Sequence, residues 1–352
     1  MNRQLYTKLV QRAVSDPVVR SGMKLSKRLN LFQAIAARPM APRELATELH
    51  MKDRFVWELS QAMMASGVIE MNKGGNLSIP TDCTEILLSA TDKAEWEPNL
   101  LKTLPILEQC FPESGKPGYT LDEAPFVLDL VNQVRSPYTA KLVDGLIQNM
   151  EIYHPDSKNL RNILDVGCGT GSITIPLARG MPGVNVIGCD TSDKAILAAS
   201  KSSVRDSNLS FVKVDGERYQ EDWMKKFDVV VLFDVLHDLP HPEKTMTEIK
   251  KVLKDDGIMV ILDPDVSSDP MKNIGNLHAA NALTFSSFYC VPSSCCHEHS
   301  AALGISWGSE NKERFLNELG LTVRNRISLL NSMFFHTFVC VKTSSIAGGK
   351  KK

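Results

Sequence analysis

Short apolar runs alternate with amphipathic stretches from Asn159 to near the end of the chain. This is the pattern of a parallel sheet with crossover helices. NILDV (162–166), NVIGCD (185–190), LSFVKVD (209–215), Val229 to Phe233 and IMVILD (258–263) read as the first five strands. The apolar positions of NILDV suit a strand covered on both faces. SITIPLARGMP, closed by Pro182 and Gly183, and DKAILAASKSSVRD read as helices. HPEKTMTEIKKVLKDDG is amphipathic, with Met246, Ile249 and Leu253 inward and Lys250, Lys251 and Lys254 solvated. Gly257 ends the turn before the fifth strand, and TVRNRISL and MFFHTFVCVKT read as two closing strands. The tail 344–352 offers no core residues and is expected to be disordered.

The first eighty residues differ in character. VRSGMKLSKRLNLFQAIA reads as one amphipathic helix, with Met23, Leu25, Leu29, Phe32 and Ile35 near helical spacing. Pro42 opens a short helix, and Asp53 is placed to cap a second one that runs to Ser66, with Gly67 ending it. Val68, Ile69 and Met71 read as a strand, NKGGN as a hairpin turn and Leu77 to Ile79 as its return. The sum is a winged helix over 1–90. Such a domain invites a DNA-binding reading, and Lys52 and Arg54 are the cations it would use. The helix behind them carries Phe55, Val56, Trp57, Leu59, Met63 and Met64 on more than one face, which suits a protein interface better than a groove. Dimerisation is the preferred use, and simple packing on the same chain stays open.

Residues 91–155 read as a helical connector or lid, with helices around 96–110, 124–134 and 138–152 following one at 85–90. Phe126, Tyr138 and Tyr153 are candidate wall residues there. A long insert, 266–309, follows the fifth strand and is expected to cover the substrate, with Phe285, Phe288, Tyr289 and Trp307 as an aromatic wall. Its Cys290, Cys295, Cys296, His297 and His299 fit no common zinc spacing, so no metal is expected.

Composition adds bounds. At 352 residues, two domains are expected. The net charge of −1 implies no general attraction to polyanions. The N-terminal residues contain no apolar signal region, and no stretch approaches the apolar length of a membrane span. Eight scattered cysteines read as reduced thiols, and a cytoplasmic location follows.

The chemistry centres on Asp165-Val-Gly-Cys-Gly-Thr-Gly171. Gly167, Gly169 and Gly171 at alternate positions let backbone approach a ligand and adopt positive φ. In an open α/β sheet, ligands bind beyond the carboxyl ends of the strands. That rim also carries Asp190 with Thr191, Asp215 with Gly216, and the run Phe233-Asp234-Val235-Leu236-His237-Asp238. Either acid alone can simply cap a turn.

The acid-plus-three-glycine turn, followed by these strand-end residues, resembles class I S-adenosylmethionine-dependent methyltransferases over about residues 160–342. With the N-terminal region included, the chain resembles small-molecule O-methyltransferases that dimerise through a winged helix, and a related branch of unassigned substrate. The resemblance implies a Rossmann-like α/β fold with a seven-stranded, mostly parallel sheet whose last strand is antiparallel. It implies S-adenosyl-L-methionine as cofactor, served by Asp165, Gly167, Cys168, Gly169, Gly171, Asp190, Thr191, Asp215, Gly216, Phe233 and Asp234. It implies a small-molecule acceptor and a homodimer, while the apolar faces of the 53–66 helix and the lack of a spanning apolar stretch argue against nucleic acid and membrane partners. Leu236-His237-Asp238 resembles the His-Asp-Trp of the O-methyltransferases, whose histidine is the base, although Leu239 stands in place of the tryptophan. His237 and Asp238 are therefore the catalytic candidates, with Asp263 and Asp265 behind them. A cofactor-sensing DNA-binding regulator, a small-molecule N-methyltransferase and a nicotinamide-dependent oxidoreductase are the alternatives; the glycine spacing argues against the last.

Overall fold

A computed structural model describes residues 2–90, 99–120, 123–127, 139–328 and 335–348. The expected helical segment 124–134 and the candidate Tyr138 lie wholly or mainly outside these residues. The chain divides into two compact units, Met1–Leu130 with Val266–Gly308, and Val131–Asp265 with Ser309–Lys352.

The second unit is built on a seven-stranded sheet. Its strands are β3 (Asn162–Val166), β4 (Asn185–Asp190), β5 (Leu209–Lys213), β6 (Phe227–Phe233), β7 (Leu253–Pro264), β8 (Leu321–Ser328) and β9 (Phe335–Lys342). The order across the sheet is β5-β4-β3-β6-β7-β9-β8. In this sheet β9 runs opposite to the other six strands. Every residue of β6 is buried, as a central strand covered on both faces requires. One face packs Ile163, Val186, Val229, Val231, Val260 and Val339 against Leu142, Leu146 and Met150 of the helix Thr139–Tyr153. The strand order reverses direction between β3 and β6, so a crevice opens at the carboxyl ends of these two strands.

Several boundaries differ from the sequence expectation. β5 ends at Lys213, which leaves Asp215 in the following turn. β7 begins at Leu253, before Gly257: Leu253 pairs with Phe227 and Ile258 with Val229, so Lys254–Gly257 bulge from the ladder. A Cβ on Gly257 would stand 2.7 Å from the Leu253 side chain and 2.9 Å from the Asp228 carbonyl, so the bulge closes only over glycine. Lys254 is not simply solvated, because it pairs with Asp228 at 2.5 Å. Lys250 donates to the Leu319 carbonyl and Lys251 pairs with Glu248 at 2.5 Å. Part of the expected disordered tail, through Gly348, belongs to a short helix, Thr343–Gly348.

In the first unit, the expected single helix over 19–36 is two, Pro17–Arg28 and Leu31–Ala37. Asn30 between them takes φ +60°, a left-handed conformation that asparagine tolerates and that breaks the helix. Helices Pro42–Glu48 and Asp53–Ala65 follow. Asp53 is the first helical residue rather than the cap; Lys52 holds the cap position and makes no side-chain cap bond. The strand β1 is only Glu70–Met71, paired with β2, Leu77–Ser78. Val68 and Ile69 are kept out of it because both amides bond back to the Met63 carbonyl.

The insert 266–308 belongs to this first unit and not to the sheet unit. Its helix Leu277–Phe288 lies on Pro17–Arg28 and Asp53–Ala65. A Cβ on Gly22 would meet Met63 at 2.7 Å and Thr284 at 3.0 Å. Tyr119 donates to the Phe288 carbonyl, and Asn281 bonds Asp16 at 2.8 Å. The Asp53–Ala65 helix is therefore covered by its own chain. Its Arg54 donates to the Ala302 and Leu303 carbonyls and pairs with fully buried Glu58 at 2.8 Å. Lys52 donates to the carbonyls of Cys110 and Lys116.

Candidate active site

Glycine turn, acids and histidine all arrive at the rim from the second unit. β3 delivers Asp165, buried, with one carboxylate oxygen accepting from the Thr174 hydroxyl at 2.6 Å. The other oxygen, Oδ1, is buried and has no protein partner. Burial pushes the Asp165 carboxyl up to about 7, the Thr174 hydroxyl opposes the rise, and neighbouring Asp190 adds to it.

Gly167, Gly169 and Gly171 all take positive φ, at +71°, +54° and +79°. Their spaces differ. A Cβ on Gly167 would lie 2.6 Å from Val235, and one on Gly171 would lie 2.8 Å from Phe211, whereas Gly169 faces open space. Gly169 is thus the point where the turn can admit a ligand, and its neighbours seat the turn on the protein. The amides of Gly167 and Cys168 both bond the Cys189 carbonyl at the end of β4, at 2.8 and 3.0 Å. Cys168 and Cys189 are buried, which raises both thiols and leaves them as packing groups.

Asp190 ends β4. Its Oδ2 accepts from the Gly169 amide and its Oδ1 from the Ser192 amide, both at 2.9 Å. Each oxygen keeps a further acceptor position. Thr191 is exposed beside it. Asp215 is exposed, and its Oδ1 caps a turn by accepting from the Glu217 amide at 3.0 Å. Gly216 is half-buried against Thr245. Phe233 is buried, with its ring 5.4 Å from Phe335. Asp234 takes φ +58° and donates its amide to the Leu262 carbonyl at 2.7 Å, which tips the chain off the sheet edge.

That turn carries His237 into the protein. Only 1% of its side chain is exposed. Nδ1 lies 2.9 Å from Asp263 Oδ1, and Nε2 lies 3.3 Å from Asp238 and 4.0 Å from Asp234. Burial works against the imidazolium, but the carboxylates of Asp238, Asp263 and Asp234 outweigh it and raise the ring to about 9. Burial likewise works against ionised Asp263, and His237 and Lys312 overcome it, holding the carboxyl at about 2. Lys312, from the helix Gly308–Glu318, is fully buried 2.5 Å from Asp263 Oδ2.

The sequence picked out neither Thr174 nor Lys312. A threonine three residues past the last glycine is an ordinary helix residue, and Lys312 sits in the strongly polar run Ser309–Arg314, which reads as a solvated face. Asp265 lies apart from His237's contacts, paired with His336 at 2.8 Å. Tyr153 is no rim residue: it packs on the sheet core and its hydroxyl accepts from Asn325. Phe288 is core within the first unit, and Phe285 and Tyr289 meet edge to face at 5.9 Å between centroids. No three of Cys290, Cys295, Cys296, His297 and His299 converge at ligand distance. All eight cysteines are free.

The donor set fits a sulfonium nucleoside carrying an amino acid. The unpartnered oxygen of Asp165 suits a cationic amine, the open face of Gly169 admits the ligand, and the spare acceptor positions of Asp190 suit neighbouring hydroxyls. Together with the reversal of strand order at β3 and β6, these features define a class I methyltransferase fold. Residues 157–318 match the family model described as "Methyltransferase domain", and this part of the chain is a class I S-adenosylmethionine-dependent methyltransferase domain, with S-adenosylmethionine as its cofactor.

Similar proteins extend the match. The chain is 35% identical over 109 residues to a release factor glutamine methyltransferase of Flavobacterium psychrophilum, covering 30% of this chain and 37% of that protein. It is 29% identical over 135 residues to a malonyl-[acyl-carrier protein] O-methyltransferase of Halalkalibacterium halodurans, covering 38% and 48%. The chain thus spans less than half of either relative. Among solved structures, an O-methyltransferase family 2 protein from Planctomyces limnophilus, in complex with apigenin, superposes with a TM-score of 0.63. That match has 16% identity and covers 97% of this chain and 96% of that one. The DszA carbon methyltransferase gives 0.56 at 17% identity, over 96% and 93%. At these identities the likeness establishes the fold.

Proposed function

We propose that this protein transfers the methyl group of S-adenosylmethionine to a small-molecule acceptor, at oxygen. The observation that carries the proposal is the glycine turn at the β3–β6 crevice, tied to Asp190 through Gly169 and backed by the unpartnered Asp165 oxygen. Asp165, the three glycines, Asp190, Asp215 and Asp234 serve the cofactor in this reading. Cys168, Thr191, Gly216 and Phe233 support the turn and the rim around it.

The cofactor supplies an activated methyl group, so the protein aligns the acceptor, excludes water and removes a proton. His237 is the proposed proton acceptor. Asp263 holds its Nδ1, which is how a carboxylate orients an imidazole for proton transfer and leaves Nε2 for the acceptor. The free protein favours the imidazolium, so the reactive neutral ring becomes more abundant as pH rises. In the free protein Nε2 faces Asp238 at 3.3 Å, so the proposed acceptor hydroxyl takes the place of Asp238 beside that nitrogen.

The O-methyltransferase solved with apigenin supports a small-molecule acceptor. Reading residues 1–90 as a winged helix that joins two copies of the chain belongs to the same proposal, but the Asp53–Ala65 helix is covered by its own unit, so the joining face would lie elsewhere on the domain. A DNA-binding reading is disfavoured because Lys52 and Arg54 are both engaged by carbonyls of their own unit. No helix among the described residues is long and apolar enough to cross a membrane.

Calorimetric titration with S-adenosylmethionine tests the first claim, and no binding at millimolar ligand sinks it. Methyl transfer to a panel of phenols, amines and thiols tests the acceptor class. Light scattering measures the oligomeric state.

A further inference from the structure

We propose that Lys312 is a positioning residue that loosens the hold of Asp263 on the His237 proton. The inference rests on His237 as the proton acceptor of the proposed reaction. Two cations reach one carboxylate from opposite ends. His237 Nδ1 is 2.9 Å from Oδ1 of Asp263, and Lys312 Nζ is 2.5 Å from Oδ2. Lys312 and Asp263 are 0% exposed, so neither charge is screened by solvent.

The lysine is held in place twice more. Its ammonium also donates to the Pro264 carbonyl at 3.3 Å, next to Asp263 in the chain. One turn earlier on the same helix, Ser309 bonds Asp265 at 3.2 Å, which pins the helix start to the end of β7. Lys312 therefore has little freedom to leave the carboxylate it contacts.

Among the described residues of this unit, the charged groups facing His237 are Asp234, Asp238 and Asp263, with Lys312 behind Asp263. Three carboxylates around one buried imidazole hold its proton firmly. The Lys312 ammonium repels the imidazolium across Asp263 and so offsets part of that carboxylate's attraction for the proton. Lys312 is the positive charge that divides the pull of Asp263. It acts on His237 through Asp263, and it needs no contact with substrate.

The test is an NMR titration of histidine-labelled protein, comparing wild type with Lys312→Met, Lys312→Gln and Lys312→Arg. The His237 signal is assigned by its loss in His237→Asn. The His237 midpoint is expected to move upward by roughly one pH unit in the two neutral variants, the scale of one nearby charge, and to return toward wild type with arginine. Either neutral variant that melts cooperatively suffices. An unchanged or lowered midpoint in such a variant overturns the proposal. Where methyl transfer is measurable, the pH at which kcat rises should move with the midpoint while KM for S-adenosylmethionine stays the same. The titration does not depend on turnover. A shifted histidine in a protein without methyltransferase activity supports the coupling and removes the proposed function, whereas an active protein with an unshifted histidine does the reverse.

Discussion

Asp190 Oδ2 accepts a hydrogen bond from the Gly169 amide at 2.9 Å, which ties the one glycine of the turn that faces open space to the acid ending the next strand. One carboxylate thus shapes the turn and offers its remaining acceptor positions to a ligand. Asp190→Ala should weaken S-adenosylmethionine binding by about 1.5–3 kcal/mol, the range for a hydrogen bond to a charged group. Calorimetry reads this directly, and an unchanged affinity would remove Asp190 from the site.

Asp165 makes a different prediction, through pH. Its folded carboxyl is raised to about 7 from an ordinary 3.8, so between these values the folded state binds more protons than the unfolded chain. Stability of the ligand-free protein should therefore fall as pH rises across that window. Asp165→Asn should flatten this dependence and weaken the cofactor at the same time. Melting temperatures at intervals from pH 4 to 8 check the first, and a slope identical to wild type counts against the assignment.

Gly167→Ala should cost about 1–3 kcal/mol of stability, because φ is +71° and the new methyl would stand 2.6 Å from Val235. Gly169→Ala meets no atom and should be milder in the melt, yet should still lower cofactor affinity. If both variants melt alike and bind alike, the distinction between a seated and an open glycine fails.

His237 sets two pH responses. Its folded value is raised from 6.5 to about 9, so its contribution to stability is full below 6.5 and is lost as pH rises through about 9. Methyl transfer should run the other way, climbing through the same range as the ring becomes neutral. His237→Ala should reduce kcat by about 10²–10⁴, the range for a positioned acid–base group. A flat rate profile from pH 7 to 10 would leave the ring with only its structural ion pairs.

Arg54→Ala should destabilise the first unit by about 3–5 kcal/mol, since it strands the fully buried Glu58 carboxylate. The double variant Arg54→Met with Glu58→Leu should recover much of the loss. Urea unfolding monitored by fluorescence measures both.

The local pattern of the sequence determined the strands and their order along the chain. Buried strands are short apolar runs, and glycines that need positive φ leave a visible spacing, so the sequence pattern alone puts NILDVGCGTGS, Asp190 and Asp234 at strand ends. Breaks set by one backbone conformation were hidden: Asn30 splits a helix whose apolar spacing runs straight through it. Long-range pairings were hidden more deeply. Arg54 looks like a surface cation until the Ala302 and Leu303 carbonyls are placed against it, 248 and 249 residues away in the chain. Lys312 looks solvated among its polar neighbours until helix geometry turns it onto Asp263. Sequence spacing records which residues share a face of one element. Which charge a buried carboxylate meets depends on two elements packing, and only the tertiary structure decided that His237 would share its aspartate with a lysine.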